Sequence, residues 1–280
     1  MKTDVTVIGA GNWGSSLVAA LRRAGIPARE VVSRTRRSGA VRFKDARLEA
    51  QTLWLCVPDG AIADVAAAIA ARRREQGATL RGQLVLHSSG ALTVAALEAA
   101  RKGGAAVASA HPVMSFPTRR AVDLQDVLFG VEARETGVRR RLYALIRKIG
   151  GKPFAMRSAK KALYHAAGTL ASPLLVSELF AAMATARMAG LSAAEARNWV
   201  GVLAQATMRN VFEQGETRSF SGPFARGDVA TISLHLKALT EHPMVAGIYR
   251  SLALHAIETL PVERKRELRS LLRSGLEPAE

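Results

Sequence analysis

Gly9, Gly11 and Gly14 directly follow the apolar run Val5 to Ile8, and glycines at this spacing suit chemistry on a bound dinucleotide. A strand turns sharply at the first glycine, a pyrophosphate approaches bare backbone at the second, and a helix packs closely at the third. Free N–H groups at the start of that helix face the phosphates, so Gly9, Gly11, Asn12, Trp13 and Gly14 are the expected pyrophosphate cradle. The adenosine ribose should lie about 20 residues further along. There the chain offers Ser33, Arg34, Thr35, Arg36 and Arg37 and no carboxylate. Hydroxyls and guanidiniums suit a 2′-phosphate, which makes NADP(H) the expected cofactor, held by Ser33, Arg34 and Arg36. Val57 and Pro58, at the end of a later strand, are expected beside the same nucleotide.

A second set of residues suits proton transfer. At about 100° per residue, Lys161, His165, Gly168 and Ser172 fall in one narrow stripe of a helix otherwise rich in Ala, Leu and Val. Lys161 is the expected proton donor to a developing alkoxide or amine, and His165 would share that proton or orient the substrate. Ser88, Ser89 and His111 end two strands, where open α/β sheets bind ligands, and are candidate substrate contacts together with Ser172 and Arg226. The plainer alternatives stay open: an exposed Lys161, a hydrogen-bonded interior His165, and serines that only make a turn. No metal is expected. The letters R-G-D at 226–228 carry no adhesion signal, since Asp228 suits the N-cap of the next helix.

These residues need a scaffold. Strands are expected at 4–8, 28–33, 52–57, 83–87, 105–110, 127–131 and 153–156, alternating with helices in the manner of a parallel, doubly wound sheet. From Ser158 the period becomes helical, with a kink at Pro173, a capping box at Ser192 to Glu195, a loop over 216–227 and a charged helix and tail at the end. The expected fold is an α/β Rossmann domain followed by an all-α domain. Its parts are a dinucleotide-binding domain at 1–157, a helical substrate and dimerisation domain at 158–262, and a charged C-terminal helix and tail at 263–280.

At 280 residues the chain can bury a sizeable core. No run of ~18 apolar residues suggests a membrane span, and the first strand starts too early for a signal peptide, so a cytoplasmic protein is expected. The single cysteine, Cys56, agrees with a reducing compartment. Net charge is +17, of which residues 1–157 carry +14. Such a field steers anionic nucleotides and acidic substrates. It would attract nucleic acid too, yet no aromatics interleave with the arginine runs to stack bases, so a nucleic-acid partner is not expected. Small residues throughout the helical half let helices pack closely, and a homodimer through that half is expected.

Six motifs carry a family resemblance: G-A-G-N-W-G at 9–14, V-P-D at 57–59, H-S-S-G-A-L at 87–92, H-P-V-M-S-F at 111–116, K-A-L-Y-H-A-A at 161–167 and G-P-F-A-R-G-D at 222–228. Together they resemble a bacterial family with a Rossmann-like NAD(P)-binding domain and a C-terminal helical domain of unknown function. More distantly the chain is similar to the group of 6-phosphogluconate dehydrogenase, β-hydroxyacid dehydrogenase, pyrroline-5-carboxylate reductase and ketopantoate reductase. That likeness implies helices that complete the site and the dimer, and Lys161 matches the lysine of a K-x-x-x-N motif in which His165 replaces the asparagine. Ser172-Pro173 stands where the closer family has Ser-Asn, so an amide is missing. The implied activity is NADP(H)-dependent hydride transfer to or from a small anionic carbonyl or imine compound. The alternative is an NADP(H)-binding sensor without turnover.

Overall fold

The computed structural model describes residues 4–35 and 39–274, so Arg36, one of the expected 2′-phosphate contacts, lies outside the described residues. Two compact units divide the chain, residues 1–170 and residues 171–280.

The first unit is built on eight strands in the order β3-β2-β1-β4-β5-β6-β7-β8. These are β1 (Val5–Ile8), β2 (Ala28–Ser33), β3 (Val41–Arg42), β4 (Thr52–Leu55), β5 (Leu84–His87), β6 (Ala106–Pro112), β7 (Leu128–Glu132) and β8 (Lys152–Ala155). Every described pairing is parallel except that of β6 with β7. Strands covered on both faces read as continuous apolar runs, and β1, β4 and β5 are buried at every position. Helices α1 (Asn12–Arg23), α2 (Ile62–Glu75), α3 (Glu98–Lys102) and α4 (Thr136–Lys148) supply the cover. One buried cluster joins Leu17 and Leu21 of α1 to Trp54, Phe129 and Ile146, while a second joins Leu53 and Leu55 to Ile62 and Ile69 of α2. The expected α/β Rossmann architecture followed by helices is therefore the observed one.

Several details differ from the sequence reading. The strand expected at 105–110 continues through His111 and Pro112, because antiparallel pairing with β7 sets His111 opposite Gly130 and Pro112 opposite Phe129. Pairing with β5 has ended by Ser109, so the proline removes no hydrogen bond on that side. β3 is only two residues long, too short to leave a periodic signal.

Helix α5 (Lys161–Thr169) is followed by a π-helical turn, Leu170–Leu174, and then by α6 (Leu175–Met188). Pro173 sits inside the π turn, so the disturbance expected there takes the form of a wider turn that accommodates the missing N–H. The sequence reading opens the second domain at 158, whereas the units divide at 170/171. The reason is that Lys161 and Tyr164 tie α5 to the sheet of the first unit.

The second unit continues with α7 (Ala193–Gln214), α8 (Glu216–Ser219), α9 (Val229–Ala238), α10 (Pro243–Thr259) and α11 (Lys265–Arg273). Its start is legible in the capping box, where Ser192 and Glu195 bond each other's backbone N–H groups. The expected loop at 216–227 contains the short α8, and the terminal helix is confined to α11. Its core, centred on Ile232, Leu236, Ile257 and Leu268, joins α9, α10 and α11.

Candidate functional site

The turn after β1 is shaped by two close approaches. Gly9 has φ +112°, and a Cβ there would fall 2.3 Å from the Cys56 carbonyl oxygen; a Cβ at Gly14 would fall 1.8 Å from the Gly9 oxygen. Only glycine fits at either position. Gly11 serves differently, since a Cβ there would meet nothing within 4 Å. It is the N-cap of α1 and no side chain caps the helix, so the first N–H groups of α1 face outward.

Beside it opens a cavity of about 540 Å³ lined by Gly9, Gly11, Ser33, Arg34, Thr35, Val57 and Pro58 among others. Six residues expected at a nucleotide thus border one space, where uncapped helix N–H groups and a guanidinium fit a phosphorylated dinucleotide. Asp64 of α2 also borders it and was not foreseen. Cys56 sits on the same wall, and burial pushes its thiol well above the usual range, against the opposing effect of a Ser88 hydrogen bond.

Asn12 and Trp13 are turned to internal work. Asn12 Nδ2 donates to the Phe116 carbonyl at 2.8 Å. The indole N–H groups of Trp13 and Trp54 both donate to Ser88 Oγ, at 2.7 and 2.8 Å. Ser88 therefore joins the glycine loop to β4. Its two lone pairs are taken, which leaves its hydroxyl no free acceptor for a substrate.

A second cluster gathers around Gly90, just past β5. A Cβ on Gly90 would lie 2.7 Å from His165 Cδ2 and 2.9 Å from His111 Nε2, so both rings rest against bare backbone. His111 Nδ1 and the Tyr164 hydroxyl are hydrogen-bonded at 2.7 Å, and the His111 and His165 ring centres are 6.1 Å apart. Burial, with the neighbouring His165 and Lys161 charges, lowers His111 to about 4. Burial raises Tyr164 to about 12. Both groups are neutral at pH 7. On the other side of Gly90, Ser89 Oγ donates to Asp59 Oδ2 at 2.7 Å and accepts from the N–H groups of Ala91 and Leu92.

Lys161 does not face open space. It is 2% exposed, and its Nζ donates to Ser109 Oγ at 2.7 Å and to the Leu92 carbonyl, with Glu132 Oε2 at 3.2 Å. Burial lowers the ammonium from its ordinary value, and Glu132 opposes that shift. Glu132 is itself 3% exposed and accepts from Ser158 Oγ at 2.6 Å and from the Val94 N–H. Deeper still, the Ser89 N–H donates to His87 Nδ1 at 3.1 Å, which places the His87 proton on Nε2, 3.2 Å from the Thr93 carbonyl. Burial, then the Lys161 charge, lowers His87 to about 4.

The stripe foreseen on the helix is regular only through Gly168, because the π turn intervenes before Ser172. Ser172 and Arg226 are exposed and belong to the other compact unit. Asp228 caps α9 as expected, its carboxylate accepting from Thr231 N–H and Oγ1. The sequence reading gave Gly90, Glu132, Tyr164 and Asp59 no role in a site. Asp59 had a signal, a carboxylate directly after the strand-ending Val57-Pro58, and so had Glu132, the one charge in the run Leu128–Glu132.

Fold and site together define a class, a Rossmann-like nucleotide-binding unit followed by a helical unit. Residues 127–256 match the family model described as "Domain of unknown function (DUF2520)". No curated protein matches the chain. Among solved structures it is similar to BF3122 of Bacteroides fragilis, named for an inferred NADP oxidoreductase activity. That match has a TM-score of 0.73 and 23% identity over 90% of this chain and 96% of that one. A reductive aminase from Aspergillus terreus, solved with NADPH and ethyl levulinate, matches at TM-score 0.65 and 17% identity over 98% and 100% of the two chains. Pyrroline carboxylate reductase of Plasmodium falciparum, solved with NADP, matches at TM-score 0.60 and 12% identity over 98% and 99%. At these identities the shared property is the fold.

Proposed function

We propose that this protein is an NADP(H)-dependent oxidoreductase acting on a small carbonyl or imine compound. The observation that carries this reading is the cavity at the glycine loop, where Gly11, the uncapped start of α1 and Arg34 meet. The NADP bound to the Plasmodium falciparum enzyme and the NADPH bound to the Aspergillus terreus enzyme support it. When bound, the nicotinamide supplies or accepts the hydride. The chain's own work is to hold the phosphates with α1 and Arg34, and to orient the reacting oxygen or nitrogen by hydrogen bonding.

At the reacting group we propose His111 as a neutral hydrogen-bonding residue, its Nε2 against Gly90 and its Nδ1 bonded to the Tyr164 hydroxyl, with His165 beside it. Lys161, the donor expected from its helix position, is proposed instead as a positioning residue. Enclosed by Glu132, Ser109 and Leu92, it anchors the helix that carries Tyr164 and His165. Ser88 and Ser89 are likewise proposed as positioning residues.

Titration with NADPH and with NADH, followed by quenching of tryptophan emission, tests the cofactor. NADPH should bind at least about tenfold more tightly, and Arg34→Ala should erase the difference. No response to either nucleotide would end this reading.

We further infer a homodimer through the helical unit. Phe180, Trp199, Phe212 and Met244 are 66%, 56%, 87% and 81% exposed, and large apolar side chains left open to water in this number favour cover by a partner. Residues 158–188 are long and apolar enough to cross a membrane by length and composition. Charged Lys160, Glu178 and Arg187 within that stretch favour a soluble protein paired with a second copy. Light scattering at micromolar concentration should give twice the monomer mass; the monomer mass would refute the pairing.

A further inference from the structure

Asp59 stands apart from the other ionised groups near Gly90. Its Oδ2 accepts from Ser89 Oγ at 2.7 Å, yet its side chain is exposed and no ion pair reaches it among the described residues. Other carboxylates, Asp64 and Glu178 among them, also have no ion pair among the described residues.

What distinguishes Asp59 is its place. Ser89 connects it to Gly90, on which His111 and His165 rest, and its charge is felt at His111, His87 and Lys161. Pro58 directly before it and Ala61 two residues after it border the nucleotide cavity. Lys161, the proton donor expected from the sequence, is matched by Glu132 at 3.2 Å and shut away from solvent. His111 is neutral at pH 7. The exposed carboxylate of Asp59, one hydrogen bond from Ser89, is the negative charge beside Gly90 that carries no ion pair among the described residues.

We infer that the substrate is cationic at its reacting centre: an imine bound as its protonated iminium, with the Asp59 carboxylate as counter-ion. This rests on the hydride-transfer reading above and narrows it, and it replaces the anionic substrate suggested by net charge. The step balances without a protein acid. The iminium carbon gains a C–H bond as the nicotinamide C4–H bond breaks, the C=N π pair becomes the nitrogen lone pair, and the nicotinamide is oxidised. The amine then takes a proton from water and leaves as an ammonium ion. A 2-oxo acid, by contrast, would bring its carboxylate towards Asp59. Pairing between two exposed groups is weak, but a ligand that covers Asp59 from water makes one charge-assisted contact worth about tenfold in affinity.

The test uses the full chain with NADPH and three probes: 2-methyl-1-pyrroline, cyclopentanone and pyruvate. The imine should be reduced with a kcat/KM at least about tenfold above the ketone and the oxo acid. Asp59→Asn should raise KM for the imine about tenfold, and Asp59→Glu should restore part of the loss. NADPH affinity, read from tryptophan quenching, should be unchanged in both variants, and the loss on the ketone should be smaller than the loss on the imine.

Equal losses on imine and ketone would overturn the inference. So would weakened NADPH binding with an unaltered imine KM, since Asp59 would then serve the cofactor. Preference for pyruvate, or no reduction of the imine while NADPH binds, also overturns it. Absence of NADPH binding together with absence of turnover on all three probes is a different result, which removes the oxidoreductase reading itself.

Discussion

Two places in the first unit use glycine to bring distant groups together, and they do opposite things with the space. At the glycine loop, Gly9 and Gly14 let backbone close on backbone, while Gly11 leaves open room beside a helix N-terminus. At Gly90 the room is filled from far along the chain by His111 and His165, and behind it sits the buried pair Lys161 and Glu132. The first is a receptor made of main-chain groups, and the second an assembly of side chains. An open, backbone-lined site tolerates change around it, whereas an assembly with a buried charge pair depends on each partner.

Breaking the ion pair should give the largest effect. Lys161→Met leaves Glu132 charged and enclosed, and urea unfolding at pH 7 should show a loss of about 3–5 kcal/mol. The double variant Lys161→Met with Glu132→Gln should recover much of that loss. If the single variant is as stable as the parent, the pair is not the anchor of α5.

Acid should act next, through the histidines. Their folded values, about 4, lie below the ordinary 6.5, so between these limits the unfolded chain binds more protons than the folded one. Their contribution is complete above pH 6.5 and is lost as pH falls towards 4. For the fully buried His87 the loss amounts to about 3 kcal/mol. Urea midpoints measured from pH 7.5 to 4.5 should fall steeply, and His87→Gln should flatten the curve.

Ser88→Ala strips two enclosed indole N–H groups of one acceptor and should cost about 1–3 kcal/mol, with a shift in tryptophan emission. The smallest expected effect on folding belongs to the open end. Arg34→Ala should leave the urea midpoint where it was and weaken NADPH binding about tenfold, with NADH untouched. A stability loss comparable to that of Ser88→Ala would erase the contrast between the two ends.

Much of this was legible in the residue order because the relevant physics is local. The run Val5 to Ile8 followed by Gly9, Gly11 and Gly14 specifies a strand, a turn and a helix start within ten residues, and alternating strands and helices imply a parallel sheet. Ser192 and Glu195 announced a helix, as did Asp228. The role of Lys161 was not legible, since a lysine four residues from a histidine reads the same whether its ammonium meets solvent or a carboxylate 29 positions earlier in the chain. Glu132, Ser109 and Leu92 come together only once β5, β6 and β7 lie side by side. Ser88 likewise looked free until two indoles, one from the start of α1 and one from β4, converged on it. Periodicity and turn chemistry act over a few residues and are written in order along the chain. Which polar groups pair off inside, and which carboxylate is left without a cation, depends on contacts across 30 to 100 residues, and tertiary structure alone decided those.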